Sequence, residues 1–312
     1  MYPVASYVMH GVMFHHFHSA EHASRPGSFS SDDFSRALDL LEKESTIVSP
    51  DTFFGLLRKG DLRGDYVLLT FDDALMSQFD VAEPVLADRG LTGAFAIYSS
   101  LYGGSPDPLE IFAAFRNEAF ADFAEFWTAF SSEQAVESHS AVRKADAAVG
   151  EGFLSEFAFY SREEKLFRFV RDEILTTEEY QFLMWSMIEN CPAFDAEATA
   201  ARLWMGTEHL EQLISLGHSV GLHSHTHPTR MDLLDEQTQQ DEYYTNFEWL
   251  SKNLGVAAQF VAHPCGRYNN NTLRVLDGLG VKYGFRSTMG DGVIHSKLEV
   301  PREDSATLLS KL

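Results

Sequence analysis

Two adjacent carboxylates, Asp72 and Asp73, close the apolar run YVLLTF (66–71), and a histidine-rich box, HSHTHP (223–228), follows the short run HSVGL (218–222). Neighbouring carboxylates can divide their labour, one binding a cation and the other taking a proton. His223 and His227 are four apart, so in a helical turn both imidazoles project from one side, an arrangement suited to chelating one metal ion. His225 points elsewhere in such a turn and shares the face only if the segment stays extended. Two neutral imidazoles and one carboxylate leave positions open on a divalent ion for water and substrate, which is the composition of a catalytic rather than a structural site. The plain alternatives are a helix cap or solvated turn for the Asp pair and a solvated loop for the histidines.

The elements that must position these residues follow an α/β rhythm. Residues 8–14 (VMHGVMF) read as a short buried strand. A helix begins near residues 28–34 with Ser31 as N-cap, which places Phe34, Leu38 and Leu41 on one face. The continuous apolar run 66–71 has the character of a parallel strand buried on both faces, its polar residues emerging at the C-terminal end. A helix through Val81–Leu86, closed at Arg89-Gly90, and a strand at 94–98 complete a βαβ unit. The rhythm resumes with a helix at 207–216 and a strand at 218–223. A helix over 235–254, a strand at 259–262, a helix over 272–279 closed by Gly280, and a strand at 281–285 follow. In α/β folds function gathers at the strands' C-terminal ends, where both motifs lie.

Residues 102–203 differ. Phe112, Phe115, Phe123, Phe126, Trp127 and Phe130 recur at helical spacing, as do Phe153, Phe157 and Tyr160, and then Tyr180, Met184, Met187 and Ile188. This pattern predicts an aromatic core of packed helices, inserted between two strands of the α/β part. The expected organisation is therefore residues 1–101 with 204–312, interrupted by 102–203.

Composition narrows the function classes. A chain of 312 residues with 45% hydrophobic content is globular, and no apolar run approaches the length of a membrane span. A formal charge of −22 argues against a nucleic-acid partner. Cys191 and Cys265 form no CxxC pair, and the first residues carry no basic n-region, so a cytoplasmic location is expected.

With these motifs in hand, the sequence resembles the polysaccharide deacetylases with a NodB-type domain (carbohydrate esterase family 4). TFDD (70–73) matches the family's first motif, and HSHTH (223–227) matches its second, His-(Ser/Thr)-x-(Ser/Thr)-His. QFVAHPCGRYN (259–269) is similar to a variant of the third, and EVPR (299–302) to the terminal segment of the same subgroup. The resemblance covers roughly 8–100 and 205–303 and implies a distorted (β/α) barrel with a helical insertion. It implies Asp73, His223 and His227 as ligands of a divalent metal, zinc by default, with cobalt, nickel or manganese compatible with the same set. It implies Asp72 as general base, in a hydrolysis that removes an acetyl group, N-acetyl foremost, from a sugar or glycan precursor.

Where the chain departs from the family, further residues are nominated. Ala262 stands at the usual third-motif arginine, and Arg302 is the candidate to assume that role. Cys265 replaces a tyrosine, while its backbone N–H would still help hold the oxyanion; His263 and Arg267 are assigned to the substrate pocket beside it. The catalytic-acid histidine motif has no clear match. His15, which aligns with a first-strand histidine of the relatives, and His295 in GVIH (292–295) are the candidates. Two other readings use the same residues. A non-haem iron oxygenase also takes two histidines and a carboxylate, but in another order and on antiparallel strands. A sugar-binding module on a degenerate hydrolase fold would lack catalysis.

Overall fold

The computed structural model describes residues 9–62, 64–104, 108–133, 145–147, 149, 153 and 160–312; the Val8 and Phe157 of the sequence expectations lie outside them. The chain divides into two compact units, Met1–Asp107 with Trp204–Leu312, and Pro108–Leu203. Among the described residues no helix is long and apolar enough to cross a membrane.

The first unit is built on eight parallel strands. They are β1 (His10–Phe14), β2 (Thr46–Ile47), β3 (Tyr66–Asp72), β4 (Ala94–Ile97), β5 (Ser219–Leu222), β6 (Phe260–Ala262), β7 (Tyr283–Phe285) and β8 (Arg302–Asp304). Their order is β7-β6-β5-β4-β3-β1-β8, with β2 against the start of β3. The strand expected to be buried on both faces is central: β3 pairs with β1 over Val67–Phe71 and with β4 over Thr70–Asp72. A strap before β8 nearly closes the sheet into a barrel. Gly284 N–H donates to Lys297 O, Val300 N–H to Gly284 O, and Gly11 N–H to Pro301 O. A side chain at Gly284 would collide with the Leu298 carbonyl, so glycine is what lets the strap lie against β7.

Strand alternation sorts the side chains. Val67, Leu69, Phe71, Phe95, Ile97 and Val261 pack against the surrounding helices, while Leu68, Ala94, Ala96, Phe260, Ala262 and Phe285 form a second, inner cluster. Phe53 and Phe54 join the inner cluster from α2 (Pro50–Lys59), a helix that the apolar pattern does not announce. Its ends are nonetheless marked, by Ser49 as N-cap, Pro50 at the first position and Gly60 in the left-handed conformation at the C-terminus. Thr70 and Asp72 share the parity of Leu68 and so face the inside. At α1 (Ser31–Glu44) the cap is Ser30 rather than Ser31, because Asp33 completes a reciprocal capping box with it. After β3 the chain makes a π-helical turn over Gln78–Ala82 before α3 (Glu83–Arg89).

The second unit is helical, with α-helices at Leu109–Ala119, Phe123–Ser132, Arg162–Phe169, Thr177–Glu189 and Ala196–Leu203. Its aromatic rings pack edge to face: Phe126 and Phe130 meet Phe167 at 5.2 and 5.1 Å, and Phe112 meets Tyr180 at 5.5 Å. Phe112, Phe115, Phe126 and Phe130 are buried, as the helical spacing of aromatics requires.

Candidate active site

Asp72 is the last residue of β3, and the chain then turns through two left-handed residues, Asp73 (φ 76°) and Ala74 (φ 54°). Non-glycine residues adopt this conformation rarely and at a cost, and such positions concentrate at functional sites. Asp73 Oδ1 lies 3.3 Å from His223 Nε2 and 3.5 Å from His227 Nε2. The three residues form a group that could hold a metal ion, their ligand atoms all within 4.8 Å of one another.

The histidines converge by a route other than a helical turn. His223–His227 is a loop bent by Ser224 (φ 66°) and His227 (φ 57°), which brings the two rings to 4.8 Å between centroids. The i, i+4 spacing is therefore not what aligns them; the two left-handed residues do so. His227 N–H donates to Ser224 Oγ (3.1 Å), bracing the bend. His225 turns to Ser99, with Nδ1 2.9 Å from its hydroxyl, and is not a member of the cluster.

The donor set fits a cation. His223 Nδ1 is 2.8 Å from Ala262 O; a carbonyl only accepts, so Nδ1 carries the hydrogen and Nε2 is the ring nitrogen turned toward Asp73. Asp73 Oδ1 is buried and accepts no hydrogen bond. Burial pushes the Asp73 carboxyl up, but the His227 and His223 imidazoles outweigh it and hold the group well below the usual carboxylate range. An ionised, unsatisfied carboxylate oxygen facing two imidazole nitrogens is costly to bury unless a positive charge sits among them.

Asp72 is held differently. Arg302, almost wholly buried, reaches from β8 to place Nη1 2.8 Å from Asp72 Oδ1. Arg302 Nε–H donates to Arg286 O (2.6 Å) and Nη1 lies 3.3 Å from Thr70 Oγ1, so the guanidinium is fixed on three sides. Its stem crosses β1 at Gly11, where a Cβ would stand 3.0 Å from Arg302 Cγ. Burial raises the Asp72 carboxyl, and the adjacent Arg302 charge overcomes it, with a net lowering. Gln78, buried after the β3 turn, donates from Nε2 to Asp72 O (2.6 Å) and to His15 O (2.9 Å).

The structure distributes the other nominated residues unevenly. His15 Nε2 lies 3.9 Å from Asp72 Oδ2 and 3.8 Å from Asp73 Oδ2, with its side chain 31% exposed. His295 sits on an exposed turn, 3.0 Å from Asp291, and makes no contact with either carboxylate. His263 is fully buried, stacks on Tyr268 at 4.3 Å and has Nε2 2.8 Å from Leu298 O. Burial pushes its pKa down to about 4. Cys265 (φ 51°) and Arg267 lie exposed on the turn after β6, the strand whose Ala262 carbonyl orients His223. Gln78, Glu242 and Asn246 were not singled out by motif. Glu242 and Asn246 lie on the helix Glu236–Leu254 and accept from the backbone of the histidine loop.

Residues 179–284 match the family model for polysaccharide deacetylases, a span that holds the histidine loop and the turn after β6 but stops short of Asp72 and Asp73 in sequence. No curated protein sequence matches the chain. Solved structures with a similar fold include the Streptococcus pyogenes deacetylase PplD in complex with acetate, at TM-score 0.54 and 16% identity over 97% of both chains. IcaB from Ammonifex degensii is similar at TM-score 0.54 and 15% identity, over 97% of this chain and 96% of that one. A de-N-acetylase from Aggregatibacter actinomycetemcomitans is similar at TM-score 0.51 and 10% identity, over 89% and 87% of the two chains. At such identities the likeness is one of fold. The matched segment and the nearly closed parallel barrel give the chain the NodB-type (β/α) barrel fold of the polysaccharide deacetylases it resembles.

Proposed function

We propose that the protein is a metal-dependent hydrolase that removes an acetyl group from an acetylated sugar or glycan precursor. The observation that carries this reading is the pairing of two unlike carboxylates. Asp73 turns an unsatisfied oxygen toward two imidazoles, and Asp72 beside it is held by Arg302. A divalent ion on Asp73, His223 and His227, with zinc suited to two imidazoles and a carboxylate, would supply Lewis acidity toward water and toward the acetyl oxygen.

The chain's own residues divide the remaining work. Arg302 occupies Asp72 Oδ1, which leaves Oδ2 to accept a proton from the attacking water. Because Arg302 keeps Asp72 ionised, that oxygen is available as a base throughout the neutral range. His15, partly exposed and within 4 Å of both carboxylates, is proposed as the group that passes a proton to the departing amine. The Cys265 backbone N–H is proposed to stabilise the tetrahedral oxyanion. An N-acetyl substrate is favoured by the de-N-acetylase among the proteins sharing the fold.

Acetate release from a panel of N-acetylated and O-acetylated oligosaccharides tests the reading. Wild type should release acetate from an N-acetylated member, and Asp72→Asn should lower kcat by about 10²–10⁴. Equal release by the two proteins across the panel would sink the enzyme reading and favour a binding module.

A further inference from the structure

We propose that Glu242 and Asn246, neither of them a ligand, set the metal affinity of the centre by holding the histidine loop in its bent form. This rests on the reading of Asp73, His223 and His227 as a metal site. The two residues are four apart on the helix Glu236–Leu254 and so share one of its faces. Asn246, fully buried, accepts the His223 N–H at Oδ1 (3.0 Å), which fixes the backbone of the first histidine. Glu242 grips the bend that leads to the second. Its Oε2 accepts the N–H groups of His225 (2.9 Å) and Thr226 (2.8 Å), and its Oε1 accepts the Thr226 hydroxyl (2.6 Å).

Three donors converge on one carboxylate directly between the two left-handed residues, Ser224 and His227. Those conformations persist only where the surroundings over-determine them. From the opposite side, Ser100 N–H donates to His225 O (2.9 Å) and Ser99 meets the His225 ring. His225 is thereby a strut of the loop, and Glu242 is the anchor on which the bend depends. Without the anchor, the loop can relax toward unstrained dihedrals, and His227 leaves the position where its Nε2 faces Asp73. A glutamine retains one acceptor oxygen and can keep part of the grip; an alanine keeps none.

Zinc affinity of the metal-free full chain, measured by competition against a chromophoric chelator, tests this without recourse to activity. Circular dichroism and thermal unfolding of each variant report its fold. Glu242→Ala should bind zinc about 10–100-fold more weakly than wild type, the range seen when outer partners of metal ligands are removed. Glu242→Gln should fall between the two. Glu248→Ala, on the exposed face of the same helix, should stay within about twofold of wild type. If wild type binds no zinc, the metal reading itself fails. If wild type binds it and a folded Glu242→Ala binds within about twofold, the anchor role is overturned. Should Glu242→Ala not fold, Glu242→Gln decides, and an affinity equal to wild type overturns the proposal.

Discussion

The barrel and the helical unit bury very different kinds of side chain. In the helical unit the buried residues are apolar or aromatic, with Thr199 and the Tyr180 hydroxyl bringing the polar atoms among those described. The barrel buries, among others, Thr70, Asp72, Asp73, His223, Ser224, Asn246, His263 and Arg302, five of which (Asp72, Asp73, His223, Ser224 and His263) lie at or just beyond the C-terminal ends of strands. The left-handed non-glycine residues, Asp73, Ala74, Ser224, His227 and Cys265, also lie there among the described residues. Removing a polar group from water costs several kcal/mol unless partners replace the lost hydrogen bonds. The helical unit largely limits that cost by composition. The barrel accepts it and offsets much of it with specific partners, Asp73 Oδ1 being the carboxylate oxygen left without one. Stability and chemistry should therefore respond separately to substitution in the two units.

The largest effect should come from breaking a buried pair. Arg302→Met removes the charge that keeps the buried Asp72 ionised, which should cost about 3–5 kcal/mol in denaturant unfolding and remove most acetate release. Arg302→Lys should not restore it, because an ammonium cannot reach Arg286 O and Asp72 Oδ1 with a rigid fork. In the helical unit, Phe167→Ala opens a hole among Phe123, Phe126 and Phe130 and should cost about 3–5 kcal/mol. Its zinc affinity should nonetheless match wild type when measured on folded protein. A zinc affinity that fell with that substitution would break the separation.

Smaller effects sharpen the picture of the barrel mouth. His15→Gln should lower kcat by about a hundredfold, with kcat and KM read separately on the best N-acetylated substrate. Acid should act first through histidine. His263 and His218 are held neutral by burial, their pKa values pushed down to about 4 from an ordinary 6.5. The unfolded chain binds those protons between the two values, so stability is full above about pH 6.5 and falls as pH drops toward 4. The loss should be about 3–4 kcal/mol for His263, and His263→Phe should flatten that part of a stability–pH curve. His295→Gln should change kcat by less than about twofold, since its exposed partner is Asp291 rather than either site carboxylate.

Much of the barrel was legible because strand parity and short apolar runs are local signals. YVLLTF announced a buried parallel strand, and the polar residues after it announced where chemistry would gather. The histidine box was visible as composition, yet its spacing suggested a helical turn where the chain forms a bent loop. Dihedrals at Ser224 and His227 depend on Glu242 and on Ser99-Ser100, partners too distant in sequence to be read from the box. Gln78, Glu242 and Asn246 carry no motif, since their roles exist only once three elements meet. The three-residue β8 is too short to show alternation, and only the tertiary structure sets Arg302 against Asp72. The ends of α2 carried their capping signals in Ser49, Pro50 and Gly60, but its apolar pattern did not draw attention to it.

The central claim is that Asp73, His223 and His227 bind one divalent ion on which hydrolysis depends. Zinc titration of metal-free wild type and His223→Ala, each followed by an acetate-release assay, tests it most directly. The account predicts one ion per wild-type chain, activity that returns in proportion to occupancy, and neither in His223→Ala. Acetate release by the metal-free protein at the same rate as the loaded one would contradict it.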